Sequence, residues 1–88
     1  MIDLKRLFTK MNENGFYYFS GLTNTNGIID IMFSTGNNGR GDTVEMECMP
    51  NDTYRLDIDI NNGSFENTIS KFSEKEVNDI LDKIVFKK

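Results

Sequence analysis

Histidine and tryptophan are missing from this chain altogether, and 88 residues include a single cysteine and a single proline. Without histidine, the side chain that most often moves protons or binds metal near neutral pH is unavailable. Cys48 has no second cysteine to pair with, and no Cys/His set has the spacing of a zinc site. A lone thiol fits a reducing compartment. Long apolar runs are missing as well. The longest are Phe16 to Phe19 and Ile28 to Phe33, the second broken by Asp30, and both fall far short of the roughly 20 residues that cross a bilayer. The first eleven residues carry Asp3, Lys5, Arg6 and Lys10 where a secretory signal needs an uninterrupted apolar core. The expected location is therefore cytoplasmic, in the host cell if the gene is a phage gene, with no membrane association.

What is present is an ordinary globular composition, 38% hydrophobic and 27% charged, in a length suited to one domain with one core. Eleven Asn, nine Ile and seven Lys suggest an A+T-rich coding sequence, compatible with a low-GC bacterium or its phage.

Leu4, Leu7, Phe8 and Met11 repeat at helical spacing behind Asp3 as N-cap, and Asn12-Glu13-Asn14-Gly15 ends that helix. Phe16 to Phe19 predicts a short aromatic strand, Gly21 to Gly27 a loop, and Ile28 to Ser34 a second strand that runs into the glycine-rich stretch from Gly36 to Asp42. Alternation is cleanest further on. Val44, Met46 and Cys48 share one face against Glu45 and Glu47, and Tyr54, Leu56, Ile58 and Ile60 share one against Arg55, Asp57 and Asp59. A register that keeps both apolar sets together pairs Cys48 with Tyr54, Met46 with Leu56 and Val44 with Ile58, which sets Glu47 opposite Arg55 and Glu45 opposite Asp57. Asn62-Gly63 predicts a type I′ turn, with Ile60 then opposite Phe65, Leu56 opposite Ile69 and Asp59 opposite Glu66. Ser73 and Glu76 have capping-box spacing ahead of a helix carrying Val77, Ile80, Leu81 and Ile84, with Lys83, Lys87 and Lys88 towards its negative end. The expected fold is α+β, an antiparallel sheet of four or five strands flanked by an N-terminal and a C-terminal helix packed on one face. The other face is then open to water.

That open face collects Glu45, Glu47, Asp57, Asp59 and Glu66, with Arg55 as the obvious counter-charge. Residues 30 to 66 hold eight acids, Asp30 among them, and two bases, for a net of −6, while the remainder holds six acids and eight bases, for a net of +2. The overall −4 conceals this segregation. Like charges directly opposite on a sheet are destabilising, and a cationic partner relieves them; the plainer alternative is that the acids only solubilise the sheet.

Other motifs lead less far. Asp57-Ile58-Asp59-Ile60-Asn61 with Gly63 starts like an EF-hand loop, but Asn62 stands where that loop needs Gly and Thr68 where it needs Glu. No metal or cofactor is expected. Arg40-Gly41-Asp42 lies in a hairpin tip, where Arg40 is a candidate contact residue. Tyr17 and Phe19, or else Phe16 and Tyr18, face away from the helices, as partner anchors or in a satellite cluster. They do not suit a nucleic acid, because phosphates need clustered positive charge and these strands carry acids. Cys48 is in phase with Val44 and Met46 and has no base to activate it. Pairs such as Glu45 and Asp57 lack the cleft that acid–base catalysis needs. The chain is expected not to be an enzyme.

The order helix, short aromatic or β-branched strand, Ser20-Gly21, a Thr/Asn loop from Thr23 to Asn26, Ile28 to Ile31 and Asn37-Asn38-Gly39 resembles the first half of small phage-encoded anti-CRISPR proteins, which inhibit an RNA-guided nuclease. The resemblance covers residues 2 to 49. It implies an acidic protein-binding inhibitor that occupies the basic nucleic-acid groove of its target. The charge pattern, the aromatic strand and the hairpin tip give Asp30, Glu45, Glu47, Asp57, Asp59, Glu66, Tyr17, Phe19 and Arg40 as candidate partner-binding residues in this chain. Two other classes stay open: a toxin-neutralising immunity protein, and a phage or plasmid accessory subunit that forms homo-oligomers through strand edges.

Overall fold

The computed structural model describes residues 2–23, 26–36, 41–60 and 63–86, with the backbone alone for residues 22, 23 and 63–71. Helix α1 (Leu4–Glu13) opens on Asp3, whose carboxylate accepts the Arg6 N–H at 3.2 Å, so one of the four donors a helix start leaves unpaired is satisfied. The chain leaves it through Gly15 at φ +84°, a left-handed conformation that costs glycine little. Five strands follow: β1 (Tyr17–Thr23), β2 (Ile29–Ser34), β3 (Thr43–Cys48), β4 (Tyr54–Ile60) and β5 (Gly63–Phe72). Each pairs antiparallel with its successor, in the order β1-β2-β3-β4-β5. Helix α2 (Glu74–Ile80) closes the chain and continues into a π-helical turn, Leu81–Val85. The fold is α+β.

Burial selects alternate residues. Val44, Met46 and Cys48 of β3 and Tyr54, Leu56 and Ile58 of β4 enter one core with Ile31 and Phe33 of β2, Leu7 and Met11 of α1, and Val77 and Leu81 of α2. The odd-numbered residues of β3 and β4 between them, 45, 47, 55, 57 and 59, lie on the other side of the sheet. Phe8 meets Phe33 edge-on at 5.0 Å, and the Ile2 N–H donates to the buried Tyr54 hydroxyl at 2.7 Å. These contacts tie the first residues of the chain to strands β2 and β4.

The β3/β4 register is the one alternation predicts, with Cys48 opposite Tyr54, Met46 opposite Leu56, and Val44 opposite Ile58. The β4/β5 register is not. Ile60 faces Gly63, Ile58 faces Phe65 and Leu56 faces Asn67, a slip of two residues from the pairing that an Asn62-Gly63 turn implies. The same slip brings Glu66 opposite Asp57 and leaves Asp59 opposite Ser64. A slip of two returns every residue to the same face, so the hydrophobic pattern is blind to it. Residues 61 and 62 lie outside the described residues. A further irregularity between Tyr54 and Leu56 carries Phe72 to a place opposite Tyr54.

Two other expectations change. β1 extends three residues beyond the aromatic run's neighbour Ser20, through Gly21, Leu22 and Thr23, where composition predicted a loop; β2's Ile29 to Ile31 offers them a ladder. Tertiary pairing overrides weak strand propensity. In the last helix, Ile84 is 39% exposed and Val85 is 7% exposed. Helical spacing predicted the reverse. The wider π turn places Val85, not Ile84, one turn beyond the buried Leu81.

Candidate functional site

The site is the sheet face away from the core, and ladder registers define it. One cross-strand row runs Asp30, Glu47, Arg55; the next runs Met32, Glu45, Asp57, Glu66; the third runs Ser34, Thr43, Asp59, Ser64. Directly opposed residues in such rows have Cβ atoms about 5 Å apart. The middle row therefore sets three acids side by side, and the first opposes Asp30 to Glu47. Asp57 and Asp59 are exposed, whereas Asp30, Glu45 and Glu47 are half-buried.

Sequence alone puts Asp30 in the acidic segment, and the β2/β3 ladder gives it acidic neighbours on β3. Its carboxyl hydrogen-bonds diagonally with that of Glu45. This contact, together with partial burial and the charges of Asp30, Asp57 and Glu47, pushes the Glu45 carboxyl up from 4.5 to about 7. Two carboxylates in contact cannot both ionise cheaply, so a proton between them is the favoured state. The Asp30 Oδ1 atom is buried with no hydrogen-bond partner. The diagonal was recoverable in principle, since extending the same-face rule to β2 and β3 sets Asp30 one row from Glu45; the glycine-rich connection hid the register.

Arg55 is the one cation in these rows among the described residues, and it is spoken for: its guanidinium lies 3.8 Å from the Glu47 carboxylate, each side chain about a third exposed. A pair so exposed contributes little to stability. Its Nε is buried and unpartnered.

The aromatic candidates stand at the sheet's edge. Between Tyr18 and Ser20 the β1/β2 register shifts by one residue, leaving Phe19 as a bulge. Tyr17 is 58%, Tyr18 52% and Phe19 44% exposed, while Phe16, just before the strand, is buried. Strict alternation would have put Phe16 and Tyr18 on one face and Tyr17 and Phe19 on the other; the bulge cancels that choice for the strand residues. Tyr18 still leans on the helix side, stacked 5.7 Å from Phe8. Arg40 lies outside the described residues.

Cys48 is buried on the opposite side of the sheet, and burial, then the charge of Asp30, raises its thiol pKa, which is the wrong direction for a nucleophile. Among the described residues no group of three or more Cys, Asp or Glu side chains is arranged to hold a metal ion. A cleft of about 200 Å³ lies between α1 and α2, bordered by Arg6, Lys10, Glu74 and Asp82. Lys10 pairs there with Asp82 at 3.6 Å and sits over the Phe86 ring. No described helix is long and apolar enough to cross a membrane.

No family model, curated protein or solved structure matches the chain. The site is an acid-rich sheet face beside an aromatic edge.

Proposed function

We propose that this protein is a protein-binding inhibitor whose acidic sheet face occupies a basic, nucleic-acid-binding surface of its target, in the manner of phage anti-defence proteins. The observation that carries the reading is the row Glu45, Asp57, Glu66 beside the Asp30/Glu47 pair. Each directly opposed like pair costs a few tenths of a kcal/mol, and the strands could have alternated signs at no cost to the core. Five acids over two adjoining rows offer a basic partner a close set of carboxyl groups, as a phosphate backbone offers its oxygens, and the partner's cations displace the proton held at Glu45. The same charges repel nucleic acid, so the partner is a protein. Complementarity of this kind acts first on encounter rate and on the choice of partner.

The test uses competition. Host proteins are loaded on immobilised duplex DNA and the column is washed with this protein at low salt. The reading expects a defined DNA-binding protein to be released and to leave the column bound to this chain. The double variant Asp57→Lys/Asp59→Lys should release none of it, because both changes lie on exposed β4 positions and invert the face's charge. Equal release by the double variant sinks the proposal.

A further inference from the structure

We propose that the cleft between α1 and α2 binds a free aliphatic α-amino acid, with Arg6 and Asn78 at its carboxylate and Glu74 at its ammonium group. The inference uses no residue of the acidic sheet face and stands apart from that reading. Each helix lends the cleft one stripe of residues four apart, Arg6 and Lys10 from α1, and Glu74, Asn78 and Asp82 from α2 and its π-helical continuation. Lys10 closes one end, paired with Asp82 at 3.6 Å and lying 5.2 Å from the centre of the Phe86 ring. One turn back along each helix, Arg6 comes level with Asn78, and a further turn back Glu74 comes level with Asp3. Arg6 thus meets an amide where Lys10 meets a carboxylate. Among the described residues, the side chains of Arg6, Asn78 and Glu74 form no hydrogen bond or ion pair, although all three line one cleft. Its floor is apolar, built from the buried Ile2 and Leu7. That floor is anchored, because the Ile2 N–H donates to Tyr54 and the Asp3 carboxylate caps α1.

Size and charge decide the occupant. The cleft holds about 200 Å³, less than the roughly 300 to 1,000 Å³ of drug-sized sites, so the ligand is small. Opposite charges that share a cleft without meeting leave space for a molecule that carries both. A guanidinium beside an amide suits a carboxylate, which takes the planar fork and a further N–H donor. Glu74, level with Asp3, suits an ammonium group. A plain anion would face those two acids, and a plain cation would face the guanidinium. A free amino acid carries both charges on one carbon, whereas a peptide terminus carries only one. An aliphatic side chain then covers Ile2 and Leu7.

The test follows amide NMR shifts as the protein is titrated with L-leucine, with L-leucinamide, which lacks the carboxylate, and with N-acetyl-L-leucine, which lacks the ammonium group. Expected are saturable shifts on residues 2–10 and 74–82 with L-leucine, and binding weaker by about tenfold or more for each derivative. Arg6→Gln and Glu74→Gln should each weaken L-leucine binding by a similar factor. Both residues are exposed, so the variants keep their fold, which unchanged shifts over the sheet would verify. Asp57→Lys/Asp59→Lys should bind L-leucine as the wild type does, so the fate of the acidic-face reading leaves this one untouched. Absence of saturable shifts with L-leucine, or equal affinity for the three compounds, overturns the inference. So does tighter binding of N-acetyl-L-leucine, which assigns the cleft to plain anions, or full affinity in Arg6→Gln.

Discussion

Glu45 and Asp30 share a hydrogen bond between carboxyl groups on neighbouring strands, and Glu45 holds its proton up to about pH 7 as a result. In the unfolded chain the same group ionises near 4.5. Between those values the folded state binds more protons than the unfolded state, so stability falls as pH rises from 4.5 to 7 and levels off above. Glu45 is only half-buried, and solvent screening reduces the effect to about 1 kcal/mol. Glu45→Gln should flatten that slope and make the protein more stable than wild type at pH 8, as read by chemical denaturation across the pH range. An unchanged slope would mean that the proton is not held there.

A cation brought to this face displaces the shared proton. Binding of the proposed partner should therefore strengthen as pH rises from about 6 to 8 and release a proton, which calorimetry in buffers of different ionisation enthalpy detects. Glu45→Gln should bind without proton release.

Leu56 and Asp57 test the two faces. Leu56 is 1% exposed, and its neighbour Asp57 is exposed and opposed by both Glu45 and Glu66. Leu56→Asp buries a charge and should cost several kcal/mol, enough to unfold a domain of this size. Asp57→Asn removes one acidic charge from a row of acids and should leave the melting temperature equal or slightly raised. If Asp57→Asn proves the more damaging change, the faces are inverted.

Tyr54 joins the N-terminus to the sheet. Its hydroxyl accepts the Ile2 N–H and donates to Asp52 at 2.5 Å, and burial followed by the Asp52 contact raises it to about 12. Tyr54→Phe strands the Ile2 N–H and should cost about 1 to 2 kcal/mol, with faster amide exchange at Ile2. Full stability in the variant would mean that the contact contributes nothing net.

The π turn distinguishes Val85 from Ile84. Val85→Ala should destabilise by about 1 to 2 kcal/mol, and Ile84→Ala by under about 0.5 kcal/mol. The opposite order would show that the helix continues as α through Ile84.

How much of this was legible depends on which force set each feature. Periodicity alone specifies α1, α2, β3 and β4, because burial on one face imposes a period of 3.6 or 2 on the residues themselves. The capping box at Ser73 and Glu76 is there in both its hydrogen bonds, since it is local chemistry within four residues. Glu45 opposite Asp57 followed from parity, as a one-residue slip would have put the apolar set into water. Tertiary structure decided the rest. The β4/β5 register differs from the predicted one by two residues, a shift that leaves every face unchanged and so leaves no mark on the pattern. The bulge at Phe19, the extension of β1 through Gly21 and the π turn at Leu81 each depend on what a neighbouring element offers. The Asp30–Glu45 contact belongs with them, because a proton shared between residues fifteen apart exists only once β2 and β3 are aligned.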